Sequence, residues 1–379
     1  MSKLIYLDNA ATTKPAKEAA AAMALALEEG FYNPSSLYAA GYAVRKSIED
    51  FRGRLVAQLG AGRLVFTSGG TEANNLAIQG LARSARRRGR ILFSAVEHSA
   101  VAEACRSLQA EHEVLAMPVD RLGRLDLEAA KALLTPDTLL ICLMQVNNEV
   151  GTIQPLEEII RLRDETCPEA LLHVDGVQGF MRLPVLLGKG VDSYALSAHK
   201  IHGPKGIGAL ALGARAKVSP MVFGGQQEEG LRSGTENTAG IFGLEAAVKA
   251  WPAQRETRRV KARLYANIKS LIPGATLNGP EPESELTAEH ILNLSFPPVR
   301  AQTLMNALEQ AGVLVSQGSA CSSRARKPSV TLQAMGLNKA LQDSALRFSL
   351  SHQTTREDVD AAAEICAKAY NSLKQFTRR

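Results

Sequence analysis

The stretch "SYALSAHKIHGPKGIGALAL", residues 193–212, places Lys200 between two apolar runs. The runs "SYAL" and "IGALAL" have the composition of buried strands, and a loop rich in glycine and proline lies between them. An amine at the edge of a buried sheet loses hydration, which costs free energy unless a partner compensates for it. We therefore expect Lys200 to be bound to another group.

The sequence around this stretch alternates between short apolar strands and helical segments from about residue 60 to residue 240. Strand candidates include "RLVFTS", "RILFSAVE", "TLLICLMQV" and "ALLHVD", and "PLEEIIRLRDE" is typical of the helices between them. This rhythm predicts an α/β domain with a largely parallel sheet. A helical region is expected over about 236–272. The turn-rich "NGPEPESEL" at 278–286 then links to a smaller α+β unit.

The composition is that of a soluble globular protein, with 45% hydrophobic and 22% charged residues. Its 44 basic and 38 acidic residues give a net charge of +6, too small to indicate nucleic-acid binding, which we do not expect. The densest basic run, "RSARRRGR" at 83–90, falls where a helix should end. It is either a solvated helix C-terminus or a docking patch for an acidic partner.

The N-terminal sequence "MSKLIYLDNAATTKP" lacks the apolar core of a signal peptide. No apolar run approaches the roughly 18 residues that a membrane span needs. We therefore expect a cytoplasmic location and no membrane association.

The five cysteines are odd in number and include no CxxC pair, so neither a disulfide framework nor a metal site is expected. Four lie in apolar strand or helix patterns, or close to them, and are interpreted as packing residues: Cys105, Cys142, Cys167 and Cys366. Cys321 differs because it lies in the small, polar and basic stretch "SQGSACSSRARKPS". The cations that follow it favour a reactive thiolate.

Polar residues follow several of the predicted strands, where an open α/β sheet binds its ligands. In "VFTSGGTEANN", Gly69, Gly70 and Thr71 form either an anion site at a helix N-terminus or an ordinary helix cap. Asp175, at the end of "LLHVD", is either a helix cap or a carboxylate with a cationic partner.

An acid, a lysine and a phosphate-binding helix start together match one cofactor, pyridoxal 5′-phosphate (PLP). PLP needs a lysine for its aldehyde, an acid opposite its pyridine nitrogen and an anion cup for its phosphate. We therefore predict that Lys200 binds PLP and that Asp175 keeps the ring nitrogen protonated.

The motifs also resemble those of a known family. "YLDNAATTKP", "NPSS", "SGGTEANN", "VEHSAV", "VNNEVGTIQP", "HVDGVQ", "SAHKIHGPKGIG", "LRSGTEN", "GSACSS" and "RFSL" occur in the order found in NifS/IscS-type cysteine desulfurases of group I. These enzymes belong to the class V aminotransferases and have the PLP-dependent fold type I. The resemblance implies a large PLP-binding domain, 14–255, and a small α+β domain, 1–13 with 256–379. The cysteine loop, about 316–330, belongs to the small domain.

The resemblance implies a set of PLP-binding residues. The phosphate ligands are Gly70, Thr71, Ser197 and His199, the ring contacts are Asp175, Gln178 and Asn148, and the covalent link is Lys200. Thr235, in "RSGT", matches a phosphate ligand that the second subunit supplies, which implies an obligate homodimer.

The resemblance also implies the substrate and the chemistry. Arg347 matches the clamp for the carboxylate of L-cysteine, and Asn33 lies near the same group. His98 matches a histidine stacked on the PLP ring that moves protons, although "VEHSAV" alone indicates a helix cap equally well. Lys200 removes the Cα proton, and Cys321 attacks the sulfur, which leaves alanine and a persulfide. The persulfide is then passed to an acceptor, such as an iron–sulfur scaffold protein or the tRNA thiolation machinery.

Two positions depart from the family pattern: Tyr38 stands where histidine is common, and Glu229 where arginine is common. Rival interpretations are another fold type I enzyme, such as an aminotransferase or a selenocysteine lyase, and a non-catalytic sulfur-relay protein. An aminotransferase has no use for Cys321 in a polar loop, whereas a selenocysteine lyase shares nearly every residue.

Overall fold

The structure, a computed structural model, describes residues 4–185, 187–318 and 328–376. The described helices are α1 (Lys17–Glu28), α2 (Ala39–Leu59), α3 (Gly70–Ser84), α4 (Ser99–Arg106), α5 (Leu127–Leu133), α6 (Leu156–Thr166), α7 (Thr238–Lys249), α8 (Thr257–Leu271), α9 (Ala301–Gln310), α10 (Val330–Ala334), α11 (Lys339–Asp343) and α12 (Arg356–Phe376). The described strands are β1 (Ile5–Tyr6), β2 (Arg63–Thr67), β3 (Arg90–Ser94), β4 (Glu113–Met117), β5 (Thr138–Met144), β6 (Leu171–Asp175), β7 (Ser193–Ser197), β8 (Gly208–Leu212), β9 (Thr276–Leu277), β10 (Ile291–Ser295), β11 (Val313–Leu314) and β12 (Ala345–Ser349).

A seven-stranded sheet with the order β2-β8-β7-β6-β5-β3-β4 organises the larger part of the chain. Strand β8 runs antiparallel to both of its neighbours, and all other neighbouring pairs are parallel. The predicted α/β class with a largely parallel sheet is confirmed. Because β7, β6, β5 and β3 are successive neighbours, the residues that follow their carboxyl ends meet along one edge of the sheet.

The central strands are buried on both faces, as a parallel sheet between helices requires. On β5, Ile141 and Leu143 belong to one apolar core, and Leu140 and Cys142 belong to the core on the opposite face. This alternation follows from the two-residue period of a strand.

A separate core lies between the helices and strands of the C-terminal part. It packs against a three-stranded antiparallel sheet, β12-β10-β9, and the short parallel pair β1–β11. Ile5 and Leu7, near the N-terminus, belong to this C-terminal core. The separation of the C-terminal core from the cores on both faces of the large sheet suits the predicted division of the chain, and the bounds 1–13, 14–255 and 256–379 remain a prediction.

The single helical region expected over 236–272 is two helices, α7 and α8, separated by residues 250–256. Pro252 lies in the break. Proline has no amide hydrogen and disfavours helical geometry in the residue before it, which explains why α7 cannot continue.

The basic run at 83–90 begins in the last turn of α3, which ends at Ser84, and it therefore lies at a helix end as expected. Arg88 donates to the carbonyl oxygens of Glu111 at 2.9 Å and Ala110 at 3.2 Å, and Arg90 forms an ion pair with Glu113. Docking of an acidic partner there remains a prediction. Among the helices of the described ranges, none combines the length and apolar composition of a membrane span.

Candidate active site

One cavity at the carboxyl edge of the large sheet brings together most of the predicted site residues. Its lining includes Gly70, Thr71, His98, Asn148, Asp175, Gln178, Ser197, His199, Lys200 and Arg347. These residues come from segments far apart in sequence, so their convergence is a property of the fold.

Lys200 ends a single 3-10 turn, Ala198–Lys200, which follows β7 directly. Its Nζ atom donates to the carbonyl oxygens of Ala10 at 2.6 Å and Ala11 at 2.8 Å. These two carbonyl oxygens orient the amine at the cavity wall. A lysine amine in this position is suited to form a bond to a carbonyl compound in the cavity.

Asp175, the last residue of β6, is held by two donors. Its Oδ1 atom accepts from the backbone nitrogen of Val177 at 3.0 Å, and its Oδ2 atom accepts from Asn74 Nδ2 at 2.9 Å. A network of side-chain hydrogen bonds continues behind Asn74. Asn74 Oδ1 lies 2.9 Å from His173 Nε2, and His173 Nδ1 lies 2.9 Å from Ser193 Oγ. Asn74 was not singled out from the sequence, although it lies in the motif "SGGTEANN".

The donor and the acceptor of each hydrogen bond in this network can be assigned. Asn74 uses its nitrogen for Asp175, so its oxygen accepts from His173 Nε2–H, and His173 Nδ1 accepts from the hydroxyl of Ser193. Burial lowers the pKa of His173 to about 3, so the imidazole is neutral at physiological pH. Asp175 is therefore fixed as a hydrogen-bond acceptor facing the cavity.

The start of α3 forms a cradle beside Asp175. Gly69 has φ +155°, a conformation open to glycine, and a Cβ atom on Gly70 would lie 2.6 Å from Val177 Cγ2. The free amide groups and dipole of a helix N-terminus favour an anion, and Thr71 and Ser197 add hydroxyl groups to the same wall. The geometry suits a phosphate at the predicted position.

His199 lies in this wall, with Nδ1 3.1 Å from Thr12 Oγ1. Burial, and after it the positive charges of Lys200 and Lys205, lower the pKa of His199 to about 4. A neutral imidazole binds a phosphate through a hydrogen bond and contributes no net charge.

His98 fits both interpretations that the sequence left open. It is the N-cap of α4, where its Nδ1 atom accepts from the backbone nitrogen of Ala100 at 3.1 Å, and it also lines the cavity. With Nδ1 as an acceptor, the neutral ring carries its hydrogen on Nε2. Its part in proton transfer remains a prediction.

Arg347, on β12 of the C-terminal part, is only 1% exposed and lines the cavity. Its Nη1 atom donates to the carbonyl oxygen of Asn148 at 2.9 Å, and its Nη2 atom donates to Asp8 Oδ1 at 2.8 Å. A buried guanidinium in a cavity wall is suited to bind a carboxylate.

Three predicted residues are not brought into this cavity. Asn33 is exposed, and its Oδ1 atom accepts from the backbone nitrogen of Ser35 at 2.8 Å. Thr235 lines a different cavity of its own chain, together with Arg232. Cys321 lies outside the described residues, so its position is not part of the site geometry.

The two departures from the family pattern lie away from the cavity lining. Tyr38 is the N-cap residue of α2 and is exposed. Glu229 lies 3.6 Å from Arg63 in a surface ion pair. Its φ of +56° is a left-handed backbone conformation that residues other than glycine rarely adopt.

Two buried carboxyl groups near the cavity were missed from the sequence. Glu97 Oε1 accepts from the backbone nitrogen of Met144 at 2.6 Å, and its pKa is raised by burial and then by the charge of Asp175. Glu149 accepts from Ser329 Oγ at 2.6 Å, and burial raises its pKa as well. Both lie in quoted motifs, "VEHSAV" and "VNNEVGTIQP", but a sequence does not distinguish a buried acid from an exposed one.

Comparisons with known proteins show the family of this chain. The family model for aminotransferase class-V matches residues 5–362, and the chain belongs to that family. It is 38% identical to the cysteine desulfurase IscS of Dictyoglomus turgidum over 387 residues, which cover 100% of this chain and 97% of that protein.

Solved structures give the same result. A NifS-like protein superposes with a TM-score of 0.88 at 33% identity, covering 98% of this chain and 100% of its own. SspA in complex with cysteine superposes with a TM-score of 0.80 at 30% identity, covering 92% and 99%. The resemblance predicted from the motifs is confirmed, and so is the fold class.

Proposed function

We propose that the protein is a PLP-dependent cysteine desulfurase, which takes sulfur from L-cysteine and releases L-alanine. The observation that carries this proposal is the single cavity lined by the Lys200 amine, the Asp175 carboxylate and the Arg347 guanidinium. The names of the relatives support the reaction, and the cysteine bound to one of the solved relatives supports the substrate.

The residues present fit PLP. Lys200 would hold its aldehyde, Asp175 would face its pyridine nitrogen, and the start of α3 with Ser197 and His199 would hold its phosphate. When bound, PLP supplies an electron sink that stabilises negative charge at the substrate Cα. Asn74 and His173 keep Asp175 in the orientation that this requires.

The protein side chains would bind the substrate and move its protons. Arg347 lines the same cavity as Lys200 and would hold the carboxylate, which would direct the Cα hydrogen towards the amine of Lys200, whereas Asn148 would contact the PLP ring. Lys200, as a neutral amine, would take that proton as a general base. His98, with hydrogen on Nε2, would serve a second proton transfer near the sulfur.

Cys321 would receive the sulfur. Its thiolate attacks the substrate sulfur, a sulfur–sulfur bond forms, and the Cβ–sulfur bond breaks with its electron pair left on carbon. Protonation of that carbon gives alanine, so L-cysteine and one protein thiol yield L-alanine and one protein persulfide, with no external oxidant. The persulfide would pass to a sulfur-acceptor protein, such as an iron–sulfur scaffold.

A homodimer would complete the phosphate site. Thr235 lines no part of its own chain's Lys200 cavity, as expected of a residue that serves the partner subunit. Large apolar side chains lie exposed on the surface, including Leu37 at 97%, Phe223 at 77% and Phe31 at 66%. Phe31 stacks on Tyr32 with 4.4 Å between ring centroids, and Tyr32 contacts the exposed Tyr38, so these side chains form an apolar patch of the kind that favours a protein interface.

A cytoplasmic location would suit this chemistry. The four described cysteines are free thiols, and a reducing compartment keeps them so.

The test compares Cys321→Ser with Cys366→Ala after incubation with L-cysteine. Cys321→Ser should keep its cofactor but release little alanine and carry no persulfide by mass spectrometry, because a hydroxyl is a poor nucleophile towards sulfur. Cys366 is buried in the C-terminal core, so its loss should lower stability and leave the persulfide in place. Near-wild-type turnover by Cys321→Ser would contradict the proposal and favour a selenocysteine lyase. Comparing the rates of turnover of L-selenocysteine and L-cysteine would then identify that activity.

A further inference from the structure

Arg347 already has a carboxylate partner in the cavity wall. Its Nη2 atom lies 2.8 Å from Asp8 Oδ1, and the arginine side chain is 1% exposed. Its Nε atom is buried and has no hydrogen-bond partner among the described residues. A second carboxylate, that of an amino acid in the cavity, therefore meets a guanidinium that a first carboxylate has largely neutralised.

The N-terminal segment fixes Asp8 in this position. The backbone nitrogen of Asn9 donates to the carbonyl oxygen of Ser349 at 3.1 Å, which ties the segment to the end of β12. The carbonyl oxygen of Ala10, two residues after Asp8, accepts from Lys200 Nζ at 2.6 Å. One short segment thus contacts both the proposed carboxylate clamp and the proposed cofactor lysine.

A second acid near Arg347 does not replace Asp8. Glu149 is buried and accepts from Ser329 Oγ at 2.6 Å, and no ion pair joins it to Arg347 within the described ranges. Burial raises the pKa of Glu149, which favours its neutral form. Asp8 is therefore the carboxylate in direct contact with the guanidinium.

We infer that Asp8 sets the affinity of the site for amino-acid carboxylates by neutralising Arg347 before the substrate binds. The inference rests on the proposed role of Arg347 as the clamp. A like charge close to the bound carboxylate weakens binding, while the ion pair keeps the guanidinium in one orientation. Such weakened binding suits this reaction, because L-alanine carries the same carboxylate as the substrate and must leave before the next turnover.

The test separates the charge of Asp8 from its geometry. Asp8→Asn keeps an oxygen that accepts from Arg347 and removes the negative charge. The dissociation constant of L-alanine, which has no sulfur to lose, is measured from the absorbance change of the PLP-loaded enzyme. We expect Asp8→Asn to bind L-alanine about fivefold more tightly, at the low end of typical coupling between two sites. Binding of ethylamine, which has no carboxylate, should not change.

Two further variants distinguish the ways in which this can fail. Asp8→Ser also removes the charge and keeps an acceptor, so it should shift L-alanine binding in the same direction if Asp8→Asn does not fold. Unchanged or weaker L-alanine binding in the folded charge-free variants, with ethylamine unchanged, would overturn the inference. Arg347→Gln should weaken L-alanine relative to ethylamine, and if it does not, the assignment of Arg347 as the clamp is wrong.

Discussion

Asn74 Nδ2 donates to Asp175 Oδ2 at 2.9 Å, across 101 positions of sequence. Asn74 lies on α3, whose first residues form the anion cradle, and Asp175 ends β6. The contact therefore couples the predicted phosphate site to the predicted partner of the pyridine nitrogen. It also connects Asp175 to His173, which accepts from Ser193 behind it.

Asn74→Ala should weaken PLP retention, because Asp175 loses an orienting donor and His173 Nε2–H loses its acceptor. Each of the two groups left without a partner, Asp175 Oδ2 and His173 Nε2–H, should lower the free energy of unfolding by about 1–3 kcal/mol. PLP retention is measured by the cofactor absorbance after dialysis. The control is Asn75→Ala, since Asn75 is a partly buried neighbour whose side chain, among the described residues, donates to the carbonyl oxygen of Thr71 and not to Asp175. Equal PLP loss in both variants would show that α3 as a whole, and not the contact to Asp175, holds the cofactor.

Lys200→Ala should abolish both the absorbance of lysine-bound cofactor and all turnover, because no other amine lines the cavity described here. Borohydride reduction of the wild-type protein followed by peptide mapping should place the label on Lys200. Lys205→Ala is the control, as Lys205 is exposed and absent from the lining. A label on Lys205 would refute the assignment.

Thr235→Ala should weaken PLP binding through the partner subunit, and complementation tests this directly. Mixed with Lys200→Ala, it should form heterodimers in which one site has both Lys200 and the partner's threonine intact. Activity should then rise above that of either variant alone. No recovery in verified heterodimers, or an active monomer in sedimentation, would place Thr235 in its own chain's site or outside any site.

The sequence was sufficient to predict the fold and much of the cavity for a physical reason. Strands and helices have distinct apolar periods, and the carboxyl ends of neighbouring parallel strands meet at one edge. Asp175 and Lys200 were therefore placed together by their positions after buried strands. Gly70 and Thr71 reach the same cavity because α3 starts at that edge, and Ser197 and His199 reach it because β7 ends there.

Contacts that depend on long-range packing could not be predicted in the same way. Asp8 carries no local signal for an ion pair with Arg347, which lies 339 positions away. The break between α7 and α8 was missed because the apolar pattern on both sides is helical, although Pro252 marks it. Asn33 was assigned from its motif alone, and in one chain it does not line the cavity.

Acid should destabilise the protein through His173. The pKa of His173 is lowered by burial from 6.5 to about 3, so between these values the unfolded chain binds a proton that the folded chain does not. The contribution of His173 to the free energy of unfolding is thus fully retained above about pH 6.5 and falls by about 1.4 kcal/mol per pH unit as the pH drops towards 3.

His173→Gln keeps one donor for Asn74 and one acceptor for Ser193 but cannot titrate. In urea unfolding at pH 7, 6, 5 and 4.5, this variant should lose stability less steeply than the wild type, by about one proton's slope. Identical slopes would mean that His173 is protonated in the folded state. A protonated His173 cannot accept from Ser193, so the donors and acceptors assigned to the hydrogen-bond network that ends at Asp175 would be wrong.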